Sequence, residues 1–109
     1  MKISIKATNL DLTEALKIYI ERRINVLDKF LSRFDEADVQ ARVEVARSTR
    51  HHRTGKVYHV DVNIDLPKKV IRAEDEGTDI RAAIDSVKNK LQREIVKYIE
   101  PRVRSKSAE

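Results

Sequence analysis

The sequence contains no cysteine and no tryptophan, and it has only two glycines and two prolines among 109 residues. Without cysteine the chain can form no disulfide, no thiolate zinc site and no cysteine nucleophile. Its two glycines, Gly55 and Gly77, lie far apart, so no glycine-rich loop is present to cradle phosphates. Aromatic residues make up 5% of the chain. A nucleic-acid partner would therefore be bound mainly through its phosphates, because base-stacking platforms are scarce.

Long apolar runs are also missing, since no segment approaches the roughly 18 residues needed to span a bilayer. A strand-like alternation begins already at Lys2, so we expect an unprocessed cytoplasmic protein without a membrane partner. No serine or threonine stands in a readable arrangement with histidine and carboxylate residues. We therefore expect no enzyme, no catalytic residue, no cofactor and no small-molecule substrate.

The net charge is +5, and its distribution is uneven. Residues 1–46 carry eight basic and eight acidic side chains, whereas residues 47–56 carry four basic and no acidic ones. Residues 57–80 carry three basic against six acidic side chains, and residues 81–106 carry eight against three. Positive charge gathered in one loop and at the end of the chain favours a polyanionic partner.

The periodicity of apolar residues predicts four strands and two helices. The predicted strands are residues 2–8, 39–45, 58–66 and 70–74, and the predicted helices run from the N-cap Thr13 to about residue 32 and over residues 79–100. Pro101 is predicted to end the last helix. The chain then divides into one domain, residues 1–100, and a short basic, disordered tail, residues 101–109.

The order of these elements, β-α-β-β-β-α, predicts the fold class. The clearest strands each keep one polar face, so one side of the sheet should face water while two amphipathic helices cover the other. We expect an α+β two-layer sandwich, with a four-stranded, mostly antiparallel sheet and two helices packed on one face.

One stripe of the last helix is basic. Lys90, Arg93 and Lys97 are separated by three and four residues, which places them in one sector of a helix. The apolar residues Ile84, Val87, Leu91 and Ile95 form a neighbouring stripe that should face the core. A solvated helix face is the simpler interpretation of such a stripe, and binding to phosphates is the alternative.

A second basic segment lies between the two middle strands. It contributes Arg47, Arg50, Arg53 and Lys56 and contains no acidic residue, so it is a candidate phosphate contact, although a solvated hairpin loop remains open. Its paired histidines, His51 and His52, point apart in an extended chain, so we expect no metal site.

Arg23 interrupts the apolar face of the first helix, where it either extends out of a cleft between helices or serves a ligand.

Both helices carry motifs that resemble those of a known family. Asp79-x-x-x-Ala83-Ile84-Asp85 followed by Lys90-Leu91-x-Arg93-x-Ile95-x-Lys97 resembles the C-terminal helix of the ribosome hibernation-promoting factor family, also called ribosome-associated inhibitor A or protein Y. Thr13-Glu14-Ala15-Leu16 and Leu27-Asp28-Lys29-Phe30 are similar to that family's first helix, and Ile71-Arg72-Ala73-Glu74 to its last strand. The resemblance covers about residues 1–99.

The resemblance implies a function. Members of that family bind the small ribosomal subunit across its decoding region, where they overlap messenger and transfer RNA and keep the ribosome inactive. It implies that Arg23, Lys29, Lys90, Arg93 and Lys97 contact ribosomal RNA, with Arg23 as a neighbour of the basic stripe at the seam between the helices. The free protein is expected to be a monomer.

The chain departs from the family pattern at three points. Val26 stands where a lysine is usual, Arg81 stands where an aromatic residue is common, and the sequence ends at Glu109, as in a short family form. Two other functions stay open at this stage. One is a general binder of double-stranded RNA, and the other is a protein-interaction module such as a modulator of a sigma factor.

Overall fold

The computed structural model describes residues 1–48 and 57–107, with side chains through residue 100. Its elements are β1 (Lys2–Thr8), α1 (Glu14–Asn25), a 3₁₀ helix (Val26–Phe30), a shorter 3₁₀ helix (Glu36–Asp38), β2 (Gln40–Arg47), β3 (Tyr58–Leu66), β4 (Lys69–Gly77) and α2 (Ile80–Ser107).

The four strands form one sheet in the order β1-β2-β3-β4. β1 is parallel to β2, because α1 returns the chain to the end of the sheet at which β1 started. The β2–β3 and β3–β4 pairs are antiparallel, and a two-residue turn, Pro67 and Lys68, joins β3 to β4. The predicted α+β class with a mostly antiparallel sheet is confirmed.

The core lies between one face of this sheet and the two helices. Register aligns Ile5, Val43, Val62 and Ala73 in one row across all four strands. The next row on the same face, Ile3, Ala41, Ile64 and Ile71, is also apolar. The alternate residues of each strand point to the opposite, polar face. The helices complete the core with their fully buried side chains, Ile20, Ile24, Ile84, Val87, Leu91 and Ile95.

α1 begins where its capping residue predicted but ends earlier. The Thr13 hydroxyl accepts a hydrogen bond from the Leu16 N–H at 3.2 Å. The α-helix stops at Asn25, and a 3₁₀ helix continues to Phe30, so the single helix predicted to residue 32 is wrong in this part. Asn25 and the β-branched Val26 have weak helix propensity, and the tighter turn still leaves Leu27 completely buried.

β4 is longer than predicted, because it continues beyond Glu74 to Gly77. Asp75 and Glu76 have low strand propensity, but the partner strand β3 continues opposite them and pairs Tyr58 with Gly77. The Asp75 carboxylate also accepts a hydrogen bond from the Ser86 hydroxyl on α2. That bond, more than any other contact, holds the pKa of Asp75 below its usual value.

The prediction that Pro101 ends the last helix is wrong, because α2 continues through it to Ser107. A proline has no N–H to donate to the carbonyl four residues earlier, so it removes one helical hydrogen bond. The residues that follow retain their own N–H groups, and the helix continues. The division of the chain at residue 100 into a domain and a tail stays a prediction.

α1 and α2 lie side by side and run in the same direction. Tyr19 and Arg23 on α1 meet Arg81 and Asp85 on α2, and both pairs are separated by four residues in the same order. The two helices therefore contact each other through one turn of polar side chains each. These side chains lie on the side of the helices that faces away from the sheet.

Candidate nucleic-acid interface

The basic stripe of α2, defined as Lys90, Arg93 and Lys97, lies beside β4. Leu91 and Ile95, which alternate with these three cations in the sequence, are completely buried in the core. The helix that carries the stripe is thus held by the core, and the side chains start from a fixed backbone. Cations on a fixed support lose less conformational entropy on binding than cations on a mobile segment.

Lys90 is partly committed to the sheet. Its Nζ donates a hydrogen bond to the carbonyl oxygen of Glu74 at 3.0 Å and lies 3.7 Å from a carboxylate oxygen of Asp75. β4 is an edge strand, so Lys90 satisfies one backbone acceptor that would otherwise be left at the edge. Its charge is partly balanced there.

Arg93 and Lys97 are exposed, and their charge is less balanced. Among the described residues Arg93 forms no ion pair. Lys97 has its Nζ 3.7 Å from Glu94, one turn away on the same helix, and an exposed pair of this kind is weak. Arg93 and Lys97 are therefore the members of the stripe that can turn toward an anion at little cost.

A cleft of about 530 Å³ separates the stripe from β4. Strand β4 adds Lys69 and Arg72 to its lining, and α2 adds Glu94 and Tyr98 to the three cations of the stripe. The Lys69 Nζ lies 5.8 Å from the centre of the Tyr98 ring. The guanidinium of Arg72 is bound by Asp61 and Glu74, so four cations without such close carboxylate partners surround one open cleft that contains a single acidic side chain.

Arg23 lies at the seam between α1 and α2, as predicted, but it is not a neighbour of the stripe. Its Nε donates a hydrogen bond to Asp85 Oδ1 at 2.8 Å, whereas Lys90 bonds to β4 on the other flank of the helix. Lys90, Arg93 and Lys97 follow Asp85 by five, eight and twelve residues, which places them about 140°, 80° and 120° away from it around α2. The structure therefore places in different sectors of the helix two basic groups that the family resemblance implied were adjacent.

Tyr19 joins Arg23 at this seam. Its hydroxyl donates a hydrogen bond to the same Oδ1 atom of Asp85 at 2.7 Å. Burial raises the pKa of Tyr19, and the hydrogen bond to the Asp85 carboxylate raises it further. One carboxylate oxygen thus fixes two side chains of α1.

Arg81 is a cation of the seam that sequence reasoning missed. Its guanidinium carbon lies 4.7 Å from the centre of the Tyr19 ring, within cation–π distance. Arg81 stands where an aromatic residue is common in the family, and it makes a stacking contact through its guanidinium. The signal available in the sequence was the matching spacing of Tyr19 with Arg23 and of Arg81 with Asp85, which puts each pair on one helix face.

The remaining predicted cations lie elsewhere. Lys29 is exposed on the first 3₁₀ helix, with its Nζ 5.2 Å from the ring centre of Phe30. Arg47 is exposed at the end of β2, where it lines a separate depression of about 660 Å³ together with Asp11 and Tyr58. Arg50, Arg53 and Lys56 lie outside the described residues, as do His51 and His52.

The polar face of the sheet carries cations that are paired. Arg42 binds both oxygens of Asp65, at 2.7 and 2.8 Å, and this contact lowers the pKa of Asp65. Arg72 binds both oxygens of Asp61 and also Glu74, at 2.6 to 3.2 Å. The hydrogen bonds to Asp61 raise the pKa of Arg72 above its usual value. Both arginines on this face are thus neutralised within the protein, whereas Lys6 lies 3.8 Å from Glu44 and Lys2 forms no ion pair among the described residues.

The described part of the chain contains neither a candidate metal site nor a candidate membrane-spanning helix. No three His, Asp or Glu side chains there are grouped closely enough to hold a metal ion. Over the same residues no helix has both the length and the apolarity to cross a bilayer.

Comparison with known families gives one match over nearly the whole chain. Residues 3–102 match the model of the family described as sigma 54 modulation protein / S30EA ribosomal protein. Among curated proteins, the ribosome hibernation promotion factor of Lactococcus lactis is 32% identical over 98 residues, which are 90% of this chain and 49% of the relative. The factor of the same name from Staphylococcus aureus is 29% identical over 98 residues and 48% of its length. The chain thus spans about half the length of these relatives.

Solved structures agree with the fold. The N-terminal domain of Thermus thermophilus Protein Y superposes with a TM-score of 0.71 at 26% identity, covering 90% of this chain and 99% of that one. A ribosomal subunit interface protein from Coxiella burnetii gives a TM-score of 0.67 at 22% identity, covering 90% and 97%. The second likeness bears on the fold alone.

Proposed function

The chain belongs to the sigma 54 modulation protein / S30EA ribosomal protein family, as its helix motifs predicted, and we propose that it is a ribosome hibernation factor. In this proposal it is a cytoplasmic, non-enzymatic inhibitor of translation. It binds ribosomal RNA in the decoding region of the small ribosomal subunit and blocks the places of messenger and transfer RNA.

The observation that carries this proposal is that the arginines on the two faces of the molecule differ in their carboxylate partners. Arg42 and Arg72 on the sheet face are bound by carboxylates at 2.6 to 3.2 Å. Arg93 on the helix face forms no ion pair among the described residues, and Lys97 has one distant partner. Phosphates bind where cations are not already neutralised.

The proposed mechanism is steric. α2 is anchored by Val87, Leu91 and Ile95, which are fully buried. Its cations therefore approach RNA from one fixed helix backbone. A domain held against the RNA in this way occupies space that transfer RNA would need. No bond is made or broken, and no cofactor takes part.

Support also comes from the curated relatives. Both are called ribosome hibernation promotion factor. Because this chain spans about half of the curated relatives, the activity of the whole relatives is carried over only as a proposal.

Charge reversal on the helix face tests the proposal. The double variant Arg93→Glu with Lys97→Glu should no longer co-sediment with small ribosomal subunits and should no longer inhibit translation in a cell-free system. The matched control is Lys2→Glu with Lys6→Glu, which makes the same change in net charge on the exposed polar side of β1. Circular dichroism confirms that both variants are folded. Retained binding in the helix variant, or equal loss in the control, would contradict the assignment of the helix face.

Competition separates a ribosome factor from a general RNA binder. Excess duplex RNA should leave the protein on ribosomes if the decoding region is its target, whereas a duplex binder would be displaced. Binding to a sigma factor with no binding to ribosomes would instead support a protein-interaction function.

A further inference from the structure

The seam between α1 and α2, defined as Tyr19, Arg23, Arg81 and Asp85, is separate from the basic stripe. The three cations of the stripe lie about 80° to 140° from Asp85 around α2, and the stripe faces β4 while the seam faces α1. From this arrangement we infer that Arg81, stacked on Tyr19, makes the seam a second phosphate-binding site together with Arg23, whose contact with ribosomal RNA the family resemblance already implies. In this site Asp85 and Tyr19 are positioning residues for the two guanidinium groups. The inference deepens the proposed function and depends on RNA being the partner.

The hydrogen bonds of Arg23 leave its outer nitrogens available. Asp85 accepts from Nε at 2.8 Å, and no described residue accepts a hydrogen bond from either Nη. A guanidinium held by Nε has its orientation fixed while its two Nη groups still point outward as paired donors. The side chain of Arg23 is 35% exposed, so these donors can reach a ligand.

Arg81 is oriented in a different way. Its guanidinium lies over the Tyr19 ring at 4.7 Å, and within the described part of the molecule it forms no ion pair. Stacking uses the flat face of the guanidinium and leaves all five N–H donors at its rim free. The Tyr19 ring cannot rotate away readily, because its hydroxyl is bound to Asp85 at 2.7 Å.

The balance of charge at the seam favours an anion. Two arginines surround one carboxylate, and a single oxygen of that carboxylate accepts the hydrogen bonds from both Tyr19 and Arg23. Tyr19 is neutral, since burial and Asp85 raise its pKa above the usual value. The cluster thus has an excess of one positive charge and two guanidinium groups whose rotamers are held before binding, which lowers the entropic cost of binding.

Arginine side-chain NMR tests the seam directly. We expect the Nε–Hε signals of Arg23 and Arg81 to shift when a single-stranded dodecamer of uridine RNA is added. Arg42 is the internal control, because Asp65 binds its Nη2 as well as its Nε, whereas only the Nε of Arg23 is bound. The Arg42 signal should not move. Unchanged seam signals in the presence of bound RNA would overturn the inference.

Single variants at Arg81 and Asp85 then measure the contribution of the seam to the affinity for small ribosomal subunits. Arg81→Gln should weaken binding about three- to tenfold and reduce the slope of log K against log salt by about one. Lys2→Gln on the sheet face is the matched control and should change neither quantity. Equal behaviour of Arg81→Gln and Lys2→Gln would exclude Arg81 from the interface.

The two Asp85 variants separate positioning from charge. Asp85→Asn keeps an acceptor oxygen and removes the negative charge, so it should tighten binding about two- to threefold. Asp85→Ala removes the same charge together with the acceptor, releases Arg23 and Tyr19, and should bind several-fold more weakly than Asp85→Asn. In Asp85→Ala the pKa of Tyr19, followed by ultraviolet titration, should fall. Equal affinity of the two variants would exclude a positioning role.

The outcomes distinguish this inference from the proposed function. If reversal of Arg93 and Lys97 abolishes ribosome binding while the seam variants behave like Lys2→Gln, the proposed function stands and the seam is not part of the interface. If the seam signals shift with the RNA dodecamer but the protein does not bind ribosomes, the seam site stands and the proposed function fails.

Discussion

Arg42 and Asp65 form a two-pronged ion pair on the polar face of the sheet, across the β2–β3 pair. Both oxygens of Asp65 are engaged, and the hydrogen bond from Arg42 lowers the pKa of the carboxyl below its usual value. A group whose pKa is lower in the folded state than in the unfolded state stabilises the fold above its unfolded pKa. That stabilisation is lost as the pH falls through the folded pKa.

The acid limb of the stability curve should therefore depend on Arg42. In the variant Arg42→Met the pKa of Asp65 should rise toward its usual value, and the loss of stability below about pH 4 should become shallower. The pKa is measured by carbon-13 NMR of the Asp65 carboxyl group, and the stability by urea unfolding at several pH values. The same titration midpoint for Asp65 in both proteins would contradict this account.

Leu91 is completely buried in the core under the basic stripe. Leu91→Ala should lower the free energy of unfolding by about 2 to 5 kcal/mol, because it removes apolar contacts and leaves a cavity. Val70 is 53% exposed on β4, so the control Val70→Thr should change stability by less than about 0.5 kcal/mol. Chemical denaturation measures both, and equal losses would show that Leu91 is not a core residue.

At the scale of elements, the sequence predicted which elements exist better than where they end. The strand alternation and the Thr13 cap gave β1, β3 and the start of α1 correctly, because each depends on local periodicity or on one hydrogen bond. β4 was predicted too short, because its two acidic residues after Glu74 have low strand propensity. Pairing with β3 extends the strand through them. The end at Pro101 was wrong because a proline removes one hydrogen bond without preventing those of the residues beyond it.

The cap of α1 offers a test at this scale. Thr13→Ala removes the oxygen that accepts from the Leu16 N–H at 3.2 Å and should cost about 1 kcal/mol of stability. Thr13→Ser retains the hydroxyl and should stay close to the original protein. Thermal unfolding followed by circular dichroism compares the three. Equal stability of the alanine and serine variants would mean that the cap contributes nothing measurable.

For the whole molecule, the sequence predicted that positive charge is concentrated but not which cations are neutralised. Arg42 and Arg93 look alike in the sequence, and both are exposed. The partner of Arg42 lies 23 residues away on the neighbouring strand, whereas Arg93 forms no ion pair among the described residues. Such pairing depends on the register of the sheet, as the seam depends on the packing of two helices, and neither can be read from local spacing.

Affinity for ribosomal subunits should fall steeply with salt. If Arg23, Arg81 and the three cations of the basic stripe each contact one phosphate, the slope of log K against log salt should be about −3.5 to −4.5. Between about 50 and 200 mM salt the affinity should then drop by more than about 100-fold. Filter binding or sedimentation over this range measures the slope. An affinity independent of salt would be incompatible with a phosphate-based interface.

The unequal balance of charge on the two faces also has a kinetic consequence. The polar sheet face pairs Arg42 and Arg72 with carboxylates, while the opposite side of the molecule exposes cations with weaker or no partners, so the protein carries an electric dipole. The electric field of a large polyanion exerts a torque on this dipole, which turns the helix side of the protein toward the polyanion before contact. More collisions then arrive in a productive orientation, which raises the association rate at low ionic strength. Rotational steering of this kind would disappear if the carboxylates of the sheet face were removed.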